Sequence, residues 1–517
     1  MSCSKIFLGD FPELTYEVVK YFHNDFSTLY SCILVNRLWC RLVTPLLWEN
    51  PFSIRTRKYN YLEIYVQYLN DDIKAQLKEY KVINNSLFSN TFFNYSMFLK
   101  HLNIHKFVSS FENWLQVIKI PTFEIRFKIL NDICTSLFKI FIENEIKLHT
   151  LELEIFFPYS DTIYDNIIKL ILKNPNFIHN IRNLKYFERE WCNIPVNDNI
   201  LQIIKSHQNS KKILLSGYID FNLYHSLLLS KDSNCSNTLN TITFYKAHLM
   251  HLTSNIFEQL NVLESVHIIY CYSLNENFPQ QINNLTKPFK LKSLFTDGLM
   301  SIESIELLLQ KSGSYLENFG YKLRNSLMSQ RHSELIIKYC KNLKFLDFHG
   351  YESQITYRIF NLIENIIRQN LNYLSINIGK DCYSNIEGSS IILQNLGQVL
   401  PSKLEYLSLT LTIIRSRFRV FLQNSQNTFI NKLLIMHTGS DDILHYTKEF
   451  NMNEKRVKYL AIRNSYNNVD LYDLRDVVKE FKLHNIKVRS FYDLNLSVRY
   501  IFPRDSLNSN LIDYLKG

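Results

Sequence analysis

Beyond about residue 145 the apolar positions follow a six-residue pattern, Leu-x-x-Leu-x-Leu with apolar replacements. It is read at Leu148-His-Thr-Leu151-Glu-Leu153, Leu239-Asn-Thr-Ile242-Thr-Phe244, Leu263-Glu-Ser-Val266-His-Ile268 and Leu316-Glu-Asn-Phe319-Gly-Tyr321. It continues at Leu343-Lys-Phe-Leu346-Asp-Phe348, Leu371-Asn-Tyr-Leu374-Ser-Ile376, Leu404-Glu-Tyr-Leu407-Ser-Leu409, Ile430-Asn-Lys-Leu433-Leu-Ile435 and Val457-Lys-Tyr-Leu460-Ala-Ile462. Weaker copies sit at Leu184, Ile213, Leu291 and Val488. The last three positions alternate apolar and polar, which predicts a short strand with one face inward. Between the strands lie stripes at helical spacing: Ile302, Ile305, Leu308 and Leu309; then Leu335, Ile336 and Tyr339; then Ile359, Leu362, Ile363 and Ile366. One strand and one helix per unit predicts an α/β chain of stacked repeats with parallel strands, each unit burying its apolar face only against its neighbours. An ordinary α/β domain with parallel strands accommodates the same elements without the near-constant period.

The first fifty residues have a different period. Phe11, Leu14, Val18 and Phe22 recur at helical spacing, with Val19 and Tyr21 widening the stripe. Asp10, Pro12 and Glu13 stand as a cap, a first-turn proline and a capping-box acid. Ser27 is a candidate cap for a second helix carrying Leu29, Cys32, Ile33 and Val35; a third segment holds Trp39, Leu42 and Val43 and ends near Pro45. So small a unit buries a modest share of its surface, and this one carries more apolar side chains than it can hide, which points to a partner. Residues 53–145 read as a helical link or N-terminal cap, with helices over Tyr61–Leu69, Phe92–Phe107 and Ile125–Phe141.

Phe11-Pro12-Glu13-Leu14, Leu34-Val35-Asn36-Arg37-Leu38-Trp39 and Pro45-Leu46-Leu47-Trp48, in that order and spacing, resemble an F-box over about residues 6–52. Phe11 replaces the usual leucine before proline, and Asn36 stands where cysteine is common. The resemblance implies binding to a Skp-type adaptor, and through it to a cullin, by Phe11, Pro12, Leu14, Val18, Leu29, Leu34, Val35, Arg37 and Trp39, with Trp48 closing the module. The hexads resemble the leucine-rich repeat family over residues 146–517, about 12–13 units. That resemblance implies an arc or horseshoe with parallel strands on its concave face and helices on its convex face. The family's Asn or Cys after the last leucine is met by Cys271, while Ala247, Tyr351 and Thr412 occupy equivalent places. Together the two resemblances imply a non-catalytic substrate receptor of a Skp–cullin–F-box ubiquitin ligase, its arc holding a target protein. The alternative is a repeat scaffold whose first fifty residues serve as a structural cap.

Outward strand positions would carry recognition: by alternation Glu152, Tyr245, His267, Tyr270, Tyr321, Asp347, His349, Asn377 and Arg463, a mixture of aromatic and polar groups suited to protein contact. Composition changes this picture little. At 517 residues, 46% hydrophobic and 21% charged, with 11 glycines and 11 prolines, the chain is globular in type. No apolar run approaches the ~18–20 residues of a membrane span, and no secretory leader pattern is present. Nine scattered cysteines without a C-x-x-C pair suit reduced thiols in the cytoplasm or nucleus. The net charge of +10 is spread thinly, and Lys211-Lys212 and Arg415-x-Arg417-x-Arg419 read as solvated faces rather than a nucleic-acid patch. No phosphate loop, dinucleotide fingerprint or nucleophile elbow occurs, so no catalytic residue and no cofactor are expected. His101 and His105 are spaced to share a helix face, and His248, His251, His267 and Cys271 are a conceivable ligand set, but neither makes a recognised zinc motif and no metal is expected.

Overall fold

The computed structural model describes residues 12–23, 25–53, 60–80, 93–117, 120, 122–155, 161–188, 199–200, 202–203, 209–218, 234–250, 252–272, 277–296, 300–322, 326–349, 364–365, 371–378, 386–448 and 456–496. Phe11, His251 and the stripe from Ile359 to Ile363 with Ile366 fall outside them. The chain is mixed α/β and divides into two compact units, Met1–Glu264 and Ser265–Gly517.

The first unit begins with three helices, α1 (Pro12–Lys20), α2 (Phe26–Ile33) and α3 (Arg37–Leu47). Local chemistry sets their limits. Asp25, not Ser27, caps α2: its carboxylate accepts from Thr28 N at 3.1 Å and from Thr28 Oγ1 at 2.8 Å. Asn36 caps α3, its Oδ1 accepting from Trp39 N at 2.9 Å, so a helix-cap residue stands where the F-box pattern favours cysteine. Helix α3 runs past Pro45 to Leu47 and stops at Trp48.

Next come α4 (Asn60–Val66), α5 (Asp71–Glu79), the strand β1 (His101–Asn103), α6 (Ile104–Gln116) and α7 (Phe123–Glu143). The segment expected to be wholly helical therefore contains a strand. Its sequence, Leu99-Lys-His-Leu102-Asn-Ile104, follows the same hexad pattern, and all three of its apolar residues are buried. The ladder continues with β2 (Thr150–Ile155), α8 (Asp161–Lys173), β3 (Asn183–Glu188), β4 (Lys212–Tyr218), β5 (Thr241–His248) and the short α9 (Asn255–Gln259). β1 to β5 are parallel and in register: Leu102, Leu151, Leu184, Ile213 and Ile242 lie side by side. At β5 the register slips by one residue after Ser216, and Lys246 takes a positive φ of 48°, as in a β-bulge.

The second unit holds β6 (Ser265–Ile269), α10 (Phe278–Asn283), β7 (Leu291–Thr296), α11 (Ile302–Ser312), β8 (Asn318–Lys322), α12 (Ser326–Tyr339), β9 (Phe345–His349) and β10 (Tyr373–Asn377). It continues with α13 (Ile386–Val399), β11 (Lys403–Leu411), α14 (Arg415–Asn424), β12 (Phe429–His437), β13 (Val457–Asn464), β14 (Val469–Asp470), α15 (Arg475–Leu483), β15 (Lys487–Val488) and α16 (Phe491–Leu494). Here the hexads align without exception from β7 to β13: Leu294, Phe319, Leu346, Leu374, Leu407, Leu433 and Leu460 form one row across parallel strands. All seven are buried, and each fully buried leucine is worth about 1.5–3 kcal/mol. The row explains the period, because one residue of slip would turn a whole strand inside out. Among the described strands of this unit β14 alone is antiparallel, pairing with β13, and the β6–β7 register shifts by one residue after Val266. Helices of neighbouring units pack closely. At Gly397 of α13 a Cβ would lie 2.7 Å from the Phe421 carbonyl oxygen of α14, closer than real side chains approach.

Candidate functional site

The strongest candidate surface is on the first three helices. Val19, Leu29, Cys32, Trp39, Val43 and Leu46 form their common core, with Tyr16, Phe22, Ile33 and Leu47 packed against it. The apolar residues left outside this core are Leu14 (47% exposed), Val18 (44%), Leu34 (73%) and Val35 (53%), together with Tyr21 and Tyr30. Six of the eighteen exposed large apolar residues among those described thus fall within residues 14–35, a density that makes this face a candidate interaction surface. The stripe read from the sequence splits here: Phe22 turns inward with Val19, while Leu14 and Val18 turn out.

The residues carried over from the F-box pattern therefore divide. Leu14, Val18, Leu34, Val35 and Arg37 lie on the surface, and Pro12 is half-buried. Leu29 and Trp39 hold the helices together and present nothing to a partner as the module stands. Trp48 is half-buried between Tyr95 and Tyr65, with ring centroids 4.4 and 5.6 Å away. Beside it, Phe52 packs edge-on against Phe107 at 5.0 Å, and Tyr65 against Phe141 at 6.0 Å. The end of the helical module is therefore built into the aromatic core of residues 61–141. Cys32 is a small core residue, as expected; burial and then the Asp25 charge push its thiol up.

The strand positions expected to face outward behave otherwise. Tyr245, His267, Tyr270, Tyr321, Asp347, His349 and Asn377 are buried, and the expectation that they form an open recognition face is corrected for all seven. Tyr321 shares a row with Phe348 and Ile376 and packs in a tilted arrangement against His332 of α12, at 4.5 Å between ring centroids. Tyr245 lies beside Ser216 of β4, and the other five join polar side chains of neighbouring strands. His267 Nδ1 is 2.8 Å from Ser293 Oγ, which accepts from Asn318 Nδ2 at 2.9 Å. Tyr270 OH donates to Asp347 Oδ2 at 3.1 Å, His349 Nε2 meets the same oxygen at 3.0 Å, and Asn377 Nδ2 lies 3.0 Å from His349 Nδ1. Tyr270 and Asp347 are separated by β7 and β8, about 14 Å on a flat sheet. A tyrosine does not span that distance, so the strand face bends towards this network and shuts out water. Gly320 of β8 makes room there, since a Cβ would lie 2.2 Å from Phe295 Cδ1. Burial pushes the Asp347 carboxyl up, but His349, Ser375 and Tyr270 outweigh it and leave the group below its ordinary value. Further along, Tyr406 OH donates to Asn495 Oδ1 at 3.3 Å and accepts from Leu496 N at 3.0 Å, so residues 495–496 cover the face there.

Two of the nine positions remain half-open. Arg463 is held by Asn468 and lies 4.9 Å above the ring of Tyr492, with exposed Tyr466, Val469 and Tyr472 nearby in sequence. Glu152 pairs with Lys185 on the next strand and accepts from Asn103 Nδ2 at 2.9 Å. Burial pushes the Glu152 carboxyl up, but the Lys185 charge and the hydrogen bonds from Lys185 and Asn103 overcome it and hold it at about 2. Burial instead raises Glu154, which shares Asn103 with it.

No protein-family model matches the chain, and no curated protein matches it.

His101 is on β1 and His105 on α6, where His105 Nε2 lies 3.3 Å from Ser109 Oγ, so they do not form a helix-face pair. His248 ends strand β5. Burial lowers His101 to about 4, leaving it a neutral imidazole at pH 7. The five described cysteines, Cys32, Cys40, Cys134, Cys271 and Cys340, form no disulfide. No described helix is long and apolar enough to cross a membrane. Lys211 lines an open groove of about 620 Å³ with Lys147, His149, His179, Arg182 and Glu264, while Arg415, Arg417 and Arg419 are exposed along α14.

Proposed function

We propose that this chain is a substrate-recognition subunit of a Skp–cullin–F-box type ubiquitin ligase. The observation that carries the reading is the exposed apolar face of Leu14, Val18, Leu34 and Val35, at positions the F-box resemblance assigns to adaptor contact. The in-register rows of hexad leucines support the second half, a leucine-rich-repeat solenoid that holds a target protein. The chain contributes no catalytic group; it raises the effective concentration of a target lysine near a charged ubiquitin-conjugating enzyme. With most interior strand positions sealed, target contact is assigned to the surface around Arg463 and Tyr492, where an arginine over an aromatic ring adjoins exposed tyrosines.

One observation favours the alternative, a scaffold whose helices are a cap: Trp48 and Phe52 tie the helical module to the following core. Deleting residues 1–52 would strip cover from Tyr65 and Phe107, so surface substitutions are the cleaner tool. The test is co-purification of the intact chain with a Skp-type adaptor and a cullin, with and without proteasome inhibition. Recovery of both by the wild type and loss of both from Leu34→Glu is the expected result. Absence of adaptor and cullin from the wild type overturns the receptor reading and leaves the scaffold.

A further inference from the structure

His23 follows helix α1, Glu49 follows helix α3, and His101 sits on the first strand, yet their ligating atoms lie within 4.8 Å of one another. We propose that these three residues bind one divalent transition-metal ion of the zinc class, clipping the helical module to the strand ladder. Two imidazole nitrogens and one carboxylate oxygen are the donor set of open zinc and cobalt sites, with water in the fourth position. Tetrahedral bonds of about 2.0–2.1 Å bring ligand atoms to about 3.3 Å of each other, so a separation at the 4.8 Å limit must close by about 1.5 Å and the His23–Glu49 one by less. The arrangement allows it. Glu49 is buried and its carbonyl accepts from Lys100 N at 3.0 Å and His101 N at 2.9 Å, which fixes two ligands to one short stretch of backbone. His23 is exposed in the turn after α1, its Nε2 already 3.7 Å from Glu49 Oε2, and it closes by a side-chain rotation.

Lys100 is the counterweight. Its ammonium holds Glu49 Oε1, leaving Oε2 towards His23. A cation arriving at Oε2 meets that positive charge, so Lys100 tunes the site towards weaker, reversible occupancy. The inference does not depend on the ligase reading, since it concerns only how the first unit is fastened.

The test uses the full chain, stripped with a chelator and titrated with Co²⁺. Nine cysteines could bind cobalt adventitiously, but thiolate ligation adds an ultraviolet charge-transfer band that a nitrogen and oxygen site lacks. The expected result is one equivalent of visible d–d absorption without that band, displaced by Zn²⁺, together with a Zn²⁺-dependent rise in Tm. His23→Ala, at an exposed turn, keeps the circular dichroism of the wild type and loses both signals. Lys100→Met binds at least tenfold more tightly. Absence of the d–d bands, their persistence in His23→Ala, or unchanged affinity in Lys100→Met overturns the proposal.

Discussion

Replacing Leu34 by glutamate separates docking from folding. Leu34 is 73% exposed at the end of α2, so a charge there meets water in the free chain and changes stability by no more than about 0.5 kcal/mol. In the proposed adaptor contact the same position counts differently. Completing the burial of Leu34 is worth about 1.5 kcal/mol, and completing that of Leu14, Val18 and Val35 about 1 kcal/mol each, from the exposed share of each side chain. A carboxylate forced into that contact forfeits the gain and adds a desolvation cost. On the proposed function, Leu34→Glu is expected to weaken adaptor binding at least tenfold, and Leu14→Glu with Leu34→Glu by more than about a hundredfold. Trp39→Ala makes the contrast: it empties the core of the three helices and costs about 3–5 kcal/mol, so it lowers Tm as well as binding. The assay is calorimetric titration of each variant with a purified Skp-type adaptor, beside a thermal melt. The reasoning is refuted if the Leu14/Leu34 double variant melts like the wild type and still binds within twofold of it.

Asp347→Ala leaves Tyr270 OH and His349 Nε2 buried without their acceptor and is expected to cost about 3–5 kcal/mol; a Tm equal to that of an exposed control such as Glu480→Ala would contradict the sealed network. Glu152 has a folded pKa below its unfolded value, so its stabilisation is complete above about 4.5 and lost as the pH falls to about 2; Lys185→Met should flatten that part of the stability–pH curve, and an unchanged acid limb would rule out the pair as its source. Glu154, raised by burial, acts in the opposite sense, its contribution weakening as the pH rises above about 4.5. Gly397→Ala drives a methyl group against the Phe421 carbonyl and should lower stability by about 1–3 kcal/mol, whereas a gain in Tm would mean that α13 and α14 are free to part.

Period and alternation are local quantities, and they were legible. The hexads at Leu343, Leu371, Leu404, Ile430 and Val457 became β9 to β13, and the stripe at Ile302 became α11, because a repeat can bury its leucines only by placing the next strand in the same register. The excess apolar surface of the first helices was legible for a similar reason: a three-helix unit has too little interior for Leu14, Val18, Leu34 and Val35 as well as Trp39. The hexad at Leu99 was hidden by its position, with helical spacing running on from Ile104 through Phe107 and Phe111. Three-dimensional packing alone decided which polar strand residues would face water. Alternation separates two faces of a strand, but it carries no information on what bends over the second face. Tyr270 reaching Asp347 across two strands, Asn495 capping Tyr406, and His23 arriving beside Glu49 and His101 join residues up to 89 positions apart, and such meetings have no period to read.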